Sequence, residues 1–204
     1  QDKTTFFGRQ FMTLAPQYER VRTKVYNGFL ATVGSAITDS NISYDNYGWR
    51  FAGLQFDTIS YNDNNIYSNE TLIPEAGLTP VLSIDYNPED DDAIPVGDLT
   101  VQIDLNLNLP TTITSGGSPV GVNSYGIMIE WTSSQYYDVS GNFNSLVVVN
   151  PGPAVEYQCI SVVPAEWIIN QNLLLSIHFF PYTEAPIDDD DTFAVTINSG
   201  TIQT

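Results

Sequence analysis

Basic residues are scarce and unevenly placed. The 204-residue chain has six, Lys3, Arg9, Arg20, Arg22, Lys24 and Arg50, against 24 acidic ones, for a net charge of -18. Residues 1–50 hold all six beside four acidic side chains; residues 51–204 hold the remaining acids and no base. Nucleic-acid binding draws on Lys and Arg to displace counterions from phosphates, so the main body offers nothing to it. An anionic lipid surface repels such a body, and no apolar run approaches the roughly 18–20 residues that cross a bilayer. Cysteine is equally sparse. Cys159 is single, which excludes an internal disulfide and with it a disulfide-stapled small domain. The chain begins at Gln1 and not Met, as removal of an export signal or maturation of a polyprotein or virion component would leave it.

Apolar residues are plentiful. They make up 42% of the chain and aromatics 12%, enough to bury a core despite the charge. From about residue 48 the sequence becomes strand-like runs separated by turn residues. The clearest is 99–109, where Leu99, Val101, Ile103, Leu105, Leu107 and Leu109 alternate with Thr100, Gln102, Asp104, Asn106 and Asn108. Strand side chains point to opposite faces with period two, so this run has one apolar and one polar face. Similar runs cover 49–61, 81–86, 125–131, 146–149, 156–163, 173–180 and 192–198, broken by Ser115-Gly116-Gly117, Ser140-Gly141-Asn142 and Asn150-Pro151-Gly152-Pro153. About eight strands and no long helix after residue 40 predict an all-β, antiparallel β-sandwich of jelly-roll type, spanning 41–204.

Residues 1–40 read as an N-terminal arm or docking segment. Pro16 followed by 17–26 fits a short helix, with Tyr18, Val21 and Val25 on one side, and equally a strand, with Val21, Thr23 and Val25 opposite Arg22 and Lys24. Its mild positive charge complements the acidic body, which predicts docking to its own body, or to a neighbouring copy or platform, through Phe6, Phe7, Arg9, Arg20, Arg22 and Lys24. The competing explanation for the acidic body is solubility alone.

Catalytic signals are thin. The one histidine, His178, sits in a strand-like run without a Gly-x-Ser-x-Gly elbow or other nucleophile context, so no catalytic residue is assigned. One His and one Cys leave only carboxylates to complete a zinc shell, and Cys159 has no neighbouring base to lower its pKa. Two carboxylate runs remain, 89–92 and Asp188, Asp189, Asp190 and Asp191. The second precedes a strand that would fix it at a sheet end, a setting in which calcium takes loop oxygens, although no EF-hand spacing is present; a solvated, self-repelling loop is the alternative. Among the aromatics, Trp131, Tyr136 and Tyr137 straddle a strand end and a loop, as a sugar-stacking platform would; core packing is the other reading of Trp131. Asn41-Ile42-Ser43 and Asn69-Glu70-Thr71 match the glycosylation pattern but are expected by accident in an Asn-rich chain.

The segment from Leu99 to Ile202 carries an aromatic-led strand at 125–131, a Pro-Ala-Glu-Trp turn at 164–167, the run Leu-Leu-Leu-Ser-Ile-His-Phe-Phe, an acidic loop and a final Thr-Phe-Ala-Val-Thr-Ile strand. In this it resembles jelly-roll domains of carbohydrate-binding modules and of virion surface proteins from phages and other viruses. The resemblance covers half the chain. With the alternating strands, the absent catalytic set, the start at Gln1 and the charge division at residue 50, it points to a non-enzymatic structural or assembly protein of a virion (capsid, decoration or fibre) or of an extracellular surface, forming homo-oligomers or joining other surface proteins. The alternative is a lectin-like attachment module for glycans, and a third reading is a secreted hydrolase using a carboxylate pair.

Overall fold

The computed structural model describes residues 28–45, 48–51, 54–68, 81–83, 98–133, 140–141, 146–164, 167–170 and 172–204. Within these, fourteen strands follow one another: β1 (Phe29–Thr32), β2 (Ile37–Tyr44), β3 (Trp49–Phe51), β4 (Thr58–Asn62), β5 (Tyr67–Ser68), β6 (Val81–Leu82), β7 (Leu99–Leu109), β8 (Thr112–Ser115), β9 (Ser118–Ser133), β10 (Ser140–Gly141), β11 (Val147–Val149), β12 (Gly152–Val163), β13 (Leu173–Thr183) and β14 (Phe193–Gln203). A 3-10 turn, Asp63–Asn65, joins β4 to β5.

All pairings are antiparallel, and they build two layers. In the first, β4 pairs with β1, β1 with β14, β14 with β7, and β7 with β12. In the second, β13 is central, with β9 along one edge and β3 and β6 along the other. Strand β2 joins the layers: its first part pairs with β14 and its end, Ser43 and Tyr44, with β3. From β7 onward the chain alternates between layers, through β9, β12, β13 and β14, which gives the jelly-roll character of this β-sandwich.

The apolar half of each alternation faces the other layer. Val101, Ile103, Leu105, Leu107 and Leu109 of β7 are buried with Tyr125, Ile127, Ile129 and Trp131 of β9 and Leu173, Leu175, Ile177 and Phe179 of β13 in one core. Aromatic rings bridge the layers, with Tyr125 against Phe193 at 5.8 Å and Trp49 against Phe193 at 6.1 Å between centroids. Burial raises the pKa of Tyr67, Tyr125 and Tyr157, so all three hydroxyls stay protonated at neutral pH.

The sandwich starts earlier than residue 41. Phe29 and Ala31 are buried and β1 lies between β14 and β4, so residues 29–40 belong to the body. The helix-or-strand segment at 17–26 lies outside the described residues. The run 49–61 is two strands because the chain changes layer within it: Trp49–Phe51 pairs with β13, whereas Thr58–Asn62 pairs with β1. Strand β9 begins seven residues before Tyr125, because Gly116 and Gly117, at φ 55° and 83°, make the tight two-residue turn of a β8–β9 hairpin.

Candidate functional site

The outward half of the same alternations makes the most organised polar surface of the described residues. Register sets it in rows. Gln158, Asp104 and Thr201 lie abreast on β12, β7 and β14, with Thr32 of β1 opposite Thr201. Glu156, Asn106 and Ser199 form the next row. The exposed Ile160, Gln102 and Gln203 form the row on the other side, ending at Leu30 and the half-exposed Tyr61 of β4. Directly opposite residues share a face, so these side chains are cross-strand neighbours.

Asp104 is the hub. Its Oδ1 accepts a hydrogen bond from Gln158 Nε2 at 2.7 Å, and its Oδ2 accepts from Gln102 Nε2 at 2.7 Å and Thr201 Oγ1 at 3.5 Å. In the adjacent row Asn106 Nδ2 donates to Glu156 Oε1 at 2.6 Å, while Asn198 Nδ2 donates to Asn106 Oδ1 at 2.7 Å and to the Pro153 carbonyl at 2.9 Å. Each side chain is thereby held in one orientation before any ligand arrives.

A break in the ladder makes this face concave. The register between β14 and β7 shifts between Ile197 and Ser199, placing Asn198 as an extra residue. Gly200 lies two residues further on, and a Cβ there would lie 2.6 Å from Leu105 Cδ2 and 3.1 Å from the Asp104 carbonyl, so glycine lets β14 settle against the core at this point. The result is a groove of about 330 Å³, lined by Thr32, Asp104, Asn106, Glu156, Ser199 and Thr201.

The sequence-derived candidates fall elsewhere. Trp131 corrects its platform assignment: it is fully buried in the core, because its position on β9 shares the inward parity of Tyr125, Ile127 and Ile129. Tyr136 and Tyr137, and the arm residues Phe6, Phe7, Arg9, Arg20, Arg22 and Lys24, lie outside the described residues, as does the 89–92 run. Asp188 to Asp191 form a closed turn, in which Asp188 N–H donates to Asp191 Oδ2 at 2.8 Å and Asp191 N–H to the Asp188 carbonyl at 3.0 Å. Trp49 Nε1 pins the turn by donating to the Asp191 carbonyl at 2.8 Å. Among the described residues, no three His, Cys, Asp or Glu side chains are grouped as metal ligands. Burial pushes the Cys159 thiol up in pKa, which keeps it a packed thiol and not a nucleophile.

His178 has partners that its local sequence conceals. Its Nε2 lies 3.2 Å from Asp45 Oδ2, its Nδ1 lies 3.6 Å from Glu130 Oε2, and Arg50 Nε lies 3.5 Å from the same Asp45 oxygen. The imidazole is only 1% exposed and Glu130 6%, so neither meets a substrate in this conformation. The cluster reads as a polar tie that binds the β2–β3 corner and β9 to β13. Replacing His178 with Leu leaves two carboxylates facing an apolar side chain. The expected loss is about 3 kcal/mol of stability, measured by urea unfolding.

No protein-family model and no curated protein sequence matches the chain. Among solved structures, it is similar to a xylan-binding module CBM15, at 12% identity and a TM-score of 0.32, over 90% of this chain and 93% of that one. No described helix is long and apolar enough to cross a membrane.

Proposed function

We propose that the protein binds carbohydrate, laying a glycan chain across the outer face of the β4–β1–β14–β7–β12 layer. The observation that supports this reading is the pre-ordered ladder of Asp104, Asn106, Glu156, Gln158 and Thr201 around a shallow groove. Sugar hydroxyls both donate and accept, and fixed carboxylate and amide groups meet them without ordering cost at the moment of binding. Five strands at a spacing of about 4.8 Å make the face roughly 19 Å wide, long enough for several sugar rings in line. Tyr61 at the β4 border supplies a half-exposed aromatic ring with a hydroxyl tip, suited to one sugar face. Titration calorimetry against a panel of soluble oligosaccharides tests the reading. Heat of binding to at least one chain is expected, and silence across neutral, cationic and anionic glycans would overturn it.

A second reading, self-association, is favoured by a different observation. Ile160 and Val162, two residues apart on the outward side of β12, are exposed apolar side chains at 58% and 49%. Adjacent exposed apolar side chains on one strand face are suited to a contact surface. The division of charge at residue 50 supplies complementary potentials for such a contact. Light scattering of the full chain would give an oligomer that Ile160→Lys dissociates; a monomer at every concentration removes the reading. Both readings suit a virion-exposed or extracellular protein.

A further inference from the structure

We infer that the groove prefers a glycan carrying protonated amines, a glucosamine-type chain, over its neutral acetylated counterpart and over uronate chains. This rests on the glycan reading above and deepens it. Two observations carry it: the imbalance of hydrogen-bonding groups in the ladder, and the charge around it.

The ladder's donors are largely spent on the ladder itself. Gln102 and Gln158 each commit a donor to Asp104, Asn106 commits one to Glu156, and both hydrogens of Asn198 have acceptors in Asn106 and Pro153. Among the groups left over, acceptors are in excess: the amide oxygens of Gln102, Gln158 and Asn198 and the second carboxylate oxygen of Glu156, with two lone pairs each, stand against one remaining N–H each of Gln102, Gln158 and Asn106. A ligand for such a surface is rich in donors. An ammonium group brings three and accepts nothing.

Charge points the same way. Asp104 and Glu156 are held by neutral amides and a hydroxyl. Arg50 is the one Lys or Arg among the described residues, and it is engaged with Asp45 on the other layer. Two carboxylates on a partly enclosed face, with no cation beside them among the described residues, favour a ligand cation and repel a uronate carboxylate. General attraction of a polycation to an acidic protein differs from this, because it does not depend on which carboxylate is present.

The experiment is titration calorimetry of the full chain near pH 5.5, where the amines of a glucosamine chain carry their protons. The probes are hexamers of glucosamine, N-acetylglucosamine and galacturonate. The glucosamine hexamer is expected to bind at least about tenfold tighter than the acetylated one, a factor typical of one charge-assisted contact. Glu156→Gln should collapse that ratio. Asp189→Asn, which removes the same charge from the exposed turn, should leave it unchanged. Equal or tighter binding of the acetylated chain overturns the amine preference and leaves the glycan reading standing. An equal effect of the two substitutions reduces the preference to general attraction and overturns it too. Failure of every hexamer to bind overturns both.

Discussion

A Trp131→Ala variant is expected to lose about 3–5 kcal/mol of stability, the range for deleting a large aromatic from a packed core. Trp131 is among the largest fully buried side chains, and it lies abreast of Leu175 of β13 and Gly141 of β10. Its removal opens a cavity between the layers that neighbours on two rigid strands cannot fill. Domains of this kind are stable by roughly 5–15 kcal/mol, so the variant should still fold at low temperature but melt about 10 °C lower. Indole Nε1 has no hydrogen-bond acceptor among the described residues, so Trp131→Phe should recover most of the loss. Scanning calorimetry checks both variants. A melting temperature unchanged in Trp131→Ala would mean that the ring is not part of the core.

Asp104→Ala should act in the opposite way, sparing the fold and removing the ligand. The carboxylate is partly exposed and its partners, Gln102, Gln158 and Thr201, reach solvent, so its loss is expected to cost under about 1 kcal/mol in stability. Glycan binding suffers more. Asp104 orients amides on both flanking positions, and hydrogen bonds to a charged group contribute about 1.5–3 kcal/mol each. A loss of about 10–100-fold in affinity follows. Calorimetric titration together with a melting curve separates the two effects. Full affinity in a folded Asp104→Ala variant would move the binding site away from this face.

Legibility in the sequence followed the range of the interaction. The alternation of 99–109 needs only neighbouring residues, and β7 spans those positions. The polar half of that run was visible too, but its partners were not. Gln158 lies 54 residues from Asp104, and Asn198 lies 92 residues from Asn106. Only strand register brings them together, and register depends on the whole sandwich. His178 makes the same point, since Asp45 stands 133 residues away. Trp131 was ambiguous for another reason: an aromatic near a strand end serves a core or a platform equally well, and parity with Ile127 and Ile129 decides for the core. The bulge that opens the groove had one local sign, Gly200 just past the run 192–198 and inside the longer β14, and glycine inside a strand marks a bulge or a close approach.

The most direct test of the account is a map of backbone amide shifts by nuclear magnetic resonance during titration with a bound oligosaccharide. The account predicts that shifts concentrate at Asp104, Asn106, Glu156, Gln158, Ser199 and Thr201, with Tyr61 at the border, and leave Glu130, Ser176 and His178 on the opposite layer unmoved. Shifts centred on that opposite layer, or at the Asp188–Asp191 turn, with none around Asp104, would contradict it.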